Sequence, residues 1–179
     1  MLLSIVVPVY NEEENIANFY KAVTDVMSGL TYDYELIFVD DGSSDSSAMI
    51  LREIAFNDKH VKVLLLARNF GHQTALTCGL DYAHGDAVIT MDGDMQHPPA
   101  LIPELVRLWE SGYDVVRTIR DSTDDASWAK SFTSKYYYKL MNKMADVPIV
   151  EGGSDFRLMN SKALGTLKRF REHGRFLRG

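Results

Sequence analysis

Asp86–Pro99 reads DAVITMDGDMQHPP. Ala87–Met91 is a short apolar run of residues that favour strands, and it leads straight into a carboxylate cluster. Asp92 and Asp94 flank Gly93, Gln96 and His97 follow, and Pro98-Pro99 stop the strand. In open α/β sheets, ligands bind at the carboxyl ends of the strands. Two carboxylates one residue apart repel each other unless a cation sits between them. A hard divalent ion, Mg²⁺ or Mn²⁺, takes carboxylate, amide and water oxygens, and substrate phosphates complete its shell. Gly93 permits close backbone approach, or a positive φ. Taken alone, Asp-x-Asp is more often a solvated turn after an edge strand, so its meaning depends on the rest of the chain.

Upstream, Leu2–Val9 (LLSIVVPV) is a near-continuous apolar run, as in a strand buried on both faces. Asn11 is placed to cap the next helix, with Glu14 resembling a capping-box partner. Ile16, Phe19, Val23, Val26 and Leu30 recur at helical spacing. Tyr34–Val39 reads as a second buried strand ending in DDGSSD (40–45), where Ser44 or Asp45 caps a helix to about Phe56. Val61–Ala67 is a third strand, RNFGH (68–72) a polar connection, and Gln73–Ala83 a third helix. Downstream come a helix over Leu101–Ser111 and a strand over Tyr113–Ile119. This βα alternation predicts a mainly parallel sheet with helices on both faces. It puts the Pro8–Glu12 turn and both acidic clusters on one sheet edge.

The pattern then changes. Asp121–Asp125 is a polar loop, and Trp128–Met144 reads as a helix whose Phe132, Tyr136, Leu140 and Met144 form a packing stripe. Ser154–Met159 is a short strand; side chains two apart share a face, so Asp155 and Arg157 point into one site. Asn160 or Ser161 caps a last helix to about Phe170.

The chain has 179 residues, 46% hydrophobic and 25% charged, which fits one domain with a sizeable core. Its one cysteine, Cys78, rules out an internal disulfide framework and lies in an apolar helical pattern, where a core role is expected. No apolar run reaches membrane-span length and Met1-Leu2-Leu3 enters a strand directly, so neither a span nor a signal peptide is expected. A net charge of −6 argues against nucleic acid as the main partner. Residues 1–100 carry 5 basic and 15 acidic residues, whereas 101–179 carry 14 and 10. Lys162–Gly179 holds six basic residues against one acidic. That tail is either a solubilising face or a surface for anionic lipid.

Four motifs in order, PVYNE (8–12), VDDGSSD (39–45), MDGDMQHPP (91–99) and GSDFRLM (153–159), closely resemble glycosyltransferase family 2 of the GT-A fold. RNFGHQTALTCG (68–79) makes the resemblance best to the polyprenyl-phosphate sugar transferases, the group of dolichol-phosphate mannose synthase and the bactoprenol glucosyltransferases. The resemblance implies a single GT-A catalytic domain over 1–179, with a nucleotide-sugar half (1–100) and an acceptor-side half (101–179). It implies that Pro8, Tyr10, Asn11 and Glu12 form the first nucleotide-binding turn, that Val39 and Asp41 hold the base, and that Asp41 accepts from a ring N–H. Asp40 caps or braces the loop. Asp92 and Gly93 then meet ribose and diphosphate, Asp94 and Gln96 ligate Mg²⁺ or Mn²⁺, and Arg120 meets the phosphates. Asp155 is the implied catalytic aspartate, assisted by Asp94 through the metal. Arg157 and Arg178 are the implied partners of the acceptor phosphate.

The implied reaction moves a hexose from UDP-glucose, UDP-N-acetylglucosamine or GDP-mannose to a polyprenyl phosphate, with inversion, at the cytoplasmic membrane face. The alternatives are transfer to a saccharide acceptor, or a catalytically silent nucleotide-binding domain. The implied family often continues past its core into interfacial helices, so the end at Arg178-Gly179 is expected to be a truncation. His72 and His97 read as hydrogen-bonding loop histidines, because Mg²⁺ and Mn²⁺ favour oxygen over imidazole. Three other classes fit less well. A nucleotidyltransferase needs a glycine- and base-rich loop where this chain has PVYNEEEN (8–15). A receiver domain needs its acidic pair after the first strand, and a dinucleotide-binding module needs G-x-G-x-x-G there.

Overall fold

β1 (Leu2–Val9) is buried on both faces, and everything else is assembled around it. Leu3, Ile5, Val7 and Val9 point to one side and Val6 to the other, the two-residue alternation of a strand. The computed structural model describes residues 1–119 and 153–169. Its further elements are α1 (Ile16–Ser28), β2 (Asp33–Asp40), α2 (Ser47–Asn57), β3 (Val61–Leu65), α3 (His72–Tyr82), β4 (Ala87–Thr90), a 3-10 turn (Pro99–Leu101), α4 (Ile102–Glu110), β5 (Val115–Ile119), β6 (Gly153–Asn160) and a last helix, here α5 (Ser161–Arg169).

The strand order is β3-β2-β1-β4-β6-β5. β3, β2, β1 and β4 run parallel, with Pro8 opposite Val39 and Val6 opposite Thr90. β6 is inserted antiparallel between β4 and β5. The chain winds outward from β1 through β2 and β3, then returns to β4 on the other side. The switch point therefore falls between β1 and β4, where open sheets of this kind bind ligands.

One face of the sheet is covered by α1, α2 and α4 through Ile16, Phe19, Val23, Leu51, Ile102 and Leu105, all buried. The other is covered by α3 and α5 through Ala75, Leu76, Leu80 and Leu164. Gly79 brings α3 down close. A Cβ there would stand 2.3 Å from Val6 Cγ1 and 3.0 Å from Val39 Cγ2. At the opposite end of the strands, buried Glu35 accepts from Ser4 Oγ at 2.5 Å, His84 N–H at 2.8 Å and Lys62 Nζ at 2.6 Å. Burial alone would raise the Glu35 pKa, but these donors outweigh it and hold the carboxyl below its ordinary value.

Two helix starts differ from expectation. α1 begins at Ile16 with Asn15 as N-cap and no side-chain cap bond, so the Asn11–Glu14 capping box does not form. Asn11 instead takes a left-handed φ of 54°, and its Oδ1 accepts from Ser44 N–H at 2.8 Å. For α2 the N-cap is Ser46, while Asp45 Oδ1 accepts from Ser47 N–H. Asn160 does cap α5, through Ala163 N–H at 2.8 Å. The helix expected over 128–144 and the loop 121–125 lie outside the described residues.

Candidate active site

The carboxyl ends of β1, β2 and β4 and the start of α3 enclose a cavity of about 270 Å³. Pro8, Tyr10 and Glu12 line it from the first turn, Asp41 from the second, and Asp92, Gly93 and Asp94 from the third. The residues that sequence distributes over three loops thus share one space, with Tyr10 46% exposed. Asn69, His72 and Ala75 complete it from the connection between β3 and α3.

Local hydrogen bonds hold the loops in register. Asn11 N–H donates to Ser43 Oγ and Glu12 N–H to Ser47 Oγ, both at 2.9 Å, tying the first turn to the second. Asp40 braces its own loop weakly, accepting from Ser43 N–H at 3.4 Å. Asp41 is 3% exposed, and its two oxygens accept from Phe70 N–H and Gly71 N–H, each at 2.8 Å. Val39 is fully buried in the face that carries α3.

The polar centre lies where β4, β6 and α3 meet. His72 Nε2 is 2.7 Å from Asp92 Oδ1, and its Nδ1 is 4.0 Å from Asp155 Oδ2. One ligand atom from each of His72, Asp92 and Asp155 lies within 4.8 Å of the others. Asp155 is 4% exposed and accepts from Arg157 at 3.1 Å, the same-face pairing that strand geometry predicts. Thr90 Oγ1 donates to the Asp155 carbonyl at 2.6 Å and pins β6 against β4. Two nearby carboxylates are thus offset by a guanidinium, and a bound cation fits the same charge pattern.

Asp94 faces the cavity, and its Oδ1 accepts from Gln96 N–H at 3.0 Å, while the Gln96 side chain is exposed. Gly93 has no positive φ; a Cβ there would approach Val7 Cγ1 to 3.3 Å. The left-handed residue of this turn is Met95, at φ 63°. Both histidines are hydrogen-bonded, as their sequence positions predict, and both bonds go to Asp92. His97 is buried, accepts from Asp92 N–H at 3.1 Å, and packs on Phe156 with ring centroids 5.6 Å apart. The signal for His72 was its position directly after Gly71 in RNFGHQ, at the first residue of α3. Arg120 and Arg178 lie outside the described residues.

Residues 4–167 match the family described as Glycosyl transferase family 2. An uncharacterized glycosyltransferase of Synechocystis sp. is 42% identical over 177 residues, 99% of this chain and 56% of that protein. A bactoprenol glucosyl transferase of Shigella phage SfV is 40% identical over 179 residues, 100% of this chain and 58% of its own. The chain thus spans somewhat more than half the length of these curated relatives. Among solved structures, a mannosyltransferase of Pyrobaculum calidifontis in complex with GDP-Man and Mn²⁺ superposes with a TM-score of 0.61. It is 20% identical, over 92% of this chain and 46% of that one. Mannosyl-3-phosphoglycerate synthase of Rubrobacter xylanophilus superposes with a TM-score of 0.67 at 17% identity, over 89% of this chain and 53% of that one. These superpositions show a shared fold. On the match across 4–167 and the 40–42% identity to these relatives, the chain belongs to glycosyltransferase family 2 and has its GT-A fold.

Proposed function

We propose that this chain is the donor-binding and catalytic part of an inverting, metal-dependent hexosyltransferase that uses a nucleotide diphosphate sugar and a polyprenyl phosphate. The observation that carries the reading is the meeting of Asp92, His72 and Asp155 beside a switch-point cavity that is also lined by Asp41 and Asp94. The name of the phage relative supports glucosyl transfer to a bactoprenol carrier. The donor's base would lie toward Tyr10 and Asp41, its diphosphate toward Asp92, Gly93 and Arg120.

One ligand atom each of His72, Asp92 and Asp155 lies within 4.8 Å of the others and could hold an ion, and Asp94, at the cavity, and Gln96 offer the carboxylate and amide oxygens that Mg²⁺ or Mn²⁺ takes. Asp94 and Gln96 are our assigned ligands, with Asp92 beside them. When bound, such an ion stabilises the charge that grows on a departing nucleoside diphosphate. The chain's own residues supply the rest. Arg157 offers a guanidinium to the acceptor phosphate, a bidentate geometry that lysine does not match.

By analogy with phosphoserine, a phosphate monoester has a second pKa of about 6, so it is mostly dianionic at neutral pH. It attacks without losing a proton. An acceptor oxygen bonds to the anomeric carbon as the bond to the diphosphate oxygen breaks, and the nucleotide leaves with the electron pair. Asp155 therefore acts mainly by orienting the acceptor and stabilising positive charge at the anomeric carbon. Because the acceptor's phosphate lies at a bilayer surface, the full-length protein would work at the cytoplasmic membrane face. Among the described residues, no helix is long and apolar enough to cross a membrane.

The test is transfer by the full-length protein from radiolabelled UDP-glucose, UDP-N-acetylglucosamine and GDP-mannose to a short polyprenyl phosphate. We expect divalent-metal-dependent label in the lipid phase from one donor. Label only in soluble saccharide, or none, contradicts the reading.

A further inference from the structure

We propose that His97 is a positioning residue: its Nδ1 closes the turn that carries Asp92, Asp94 and Gln96, and its ring seats that turn on β6 beside Asp155. Its effect on binding rests on the nucleotide reading above; the closure of the turn does not.

Four observations carry it. First, Asp92 N–H donates to His97 Nδ1 at 3.1 Å, while Asp92 Oδ2 stands farther off, at 3.7 Å. The nearer partner is a donor, so Nδ1 acts as an acceptor. This bond joins the first and last residues of the turn, and both assigned metal ligands, Asp94 and Gln96, lie between them. Second, the turn does not hold itself. Met95 takes φ 63°, a region that residues with a Cβ rarely adopt, and such a conformation persists only where its surroundings fix it. The bond from Gln96 N–H to Asp94 Oδ1, at 3.0 Å, is exposed. Third, His97 is the most buried histidine among the described residues, with a side chain 9% exposed against 33% for His60 and 37% for His72. Its ring centroid lies 5.6 Å from that of Phe156, which is itself buried and follows Asp155 in the chain. Fourth, Pro98 follows His97 and disfavours a helical backbone there, which restricts the direction in which the side chain leaves the chain. The imidazole thus stands one step behind the metal ligands. Partners in that place typically change metal affinity or activity about 10- to 100-fold when removed.

Three substitutions separate the acceptor from the bulk. Asn carries its oxygen on the γ carbon, where histidine carries Nδ1; Gln carries it one bond farther out; Leu fills space with no acceptor. Affinities for UDP and for GDP at a fixed Mn²⁺ concentration are measured by calorimetry on the 179-residue chain for wild type, His97→Asn, His97→Gln and His97→Leu. We expect His97→Asn to stay within about threefold of wild type, and His97→Gln and His97→Leu to bind about tenfold or more weaker. A residue that only fills space gives the reverse order, because Gln and Leu are closer than Asn to the imidazole in bulk. Gln binding as tightly as Asn, or Leu matching wild type, overturns the inference. If His97→Leu does not fold, His97→Asn and His97→Gln carry the comparison by themselves. If the wild type binds neither nucleotide, the nucleotide reading fails, and hydrogen exchange at the Asp92 amide of the ligand-free chain decides the closure of the turn. That amide must exchange about tenfold or more faster in His97→Gln than in wild type or His97→Asn. Equal rates in all three overturn the closure.

Discussion

Gly79→Ala should destabilise the protein, although alanine is the better helix former. Gly79 is buried within α3, above β1 and β2. The added Cβ would stand 2.3 Å from Val6 Cγ1, where ordinary contact begins at 3.4 Å, and 3.0 Å from Val39 Cγ2. Both valines are fully buried and β-branched, so neither can turn away cheaply. Glycine to alanine in a helix gains about 1 kcal/mol, while overpacking a close-packed core costs about 1–3 kcal/mol. A shortfall near an ångström puts the cost at the upper end, for a net loss of about 2 kcal/mol. At about 2–4 °C per kcal/mol for a chain of this size, the melting temperature should fall by roughly 4–8 °C. The helix can relieve the clash only by lifting, and α3 begins at His72, so nucleotide-metal affinity should fall as well. Adding Val6→Ala opens space under the new methyl, and the two substitutions should couple by about 1 kcal/mol or more in urea unfolding. An unchanged or raised melting temperature for Gly79→Ala would refute a tight α3 seat.

Glu35 predicts a pH dependence. Because its folded pKa lies below the unfolded value, its contribution is present above the ordinary carboxylate range and is lost as pH falls through the folded value. Glu35→Gln keeps an acceptor for Ser4 and His84 and loses mainly half-exposed Lys62, a loss of about 1 kcal/mol. Glu35→Ala strands a buried hydroxyl and should cost about 3 kcal/mol; urea titrations at neutral pH and in acid check both, with Glu35→Gln converging on wild type as pH falls and Glu35→Ala staying less stable than either. Asp94→Ala should abolish metal-dependent nucleotide binding in calorimetry, and unchanged binding would remove it as a ligand. Asp155→Asn should leave donor binding intact and lower transfer by the full-length protein, and undiminished transfer would end its catalytic assignment.

Much of this fold is legible from apolar periodicity. Leu2–Val9 reads as a doubly buried strand because it is one, and the acidic clusters fall at strand ends because polar side chains cannot continue into the core. The antiparallel insertion of β6 between β4 and β5 is not legible, since strand order is a property of long-range pairing. Helix starts slipped where side chains had better partners: Asn11 serves Ser44 in a neighbouring loop instead of its own helix. At the site, Asp92, Asp94 and Asp155 stand out by residue type and motif. His72 does not, because its part comes from a contact with Asp92 twenty residues away. Asp41 shows the same limit: a motif marks it as important, and only the structure shows its carboxylate holding the Phe70 and Gly71 amides.

The most direct test of the nucleotide-sugar assignment is the melting temperature of this chain with UDP, GDP and their sugar conjugates, each with and without Mn²⁺. A ligand at about 100 times its dissociation constant adds roughly 2.7 kcal/mol to the folded state. The account predicts a clear rise that needs both Mn²⁺ and a nucleotide and is much larger for one base. No rise with any nucleotide in the presence of Mn²⁺ would contradict it.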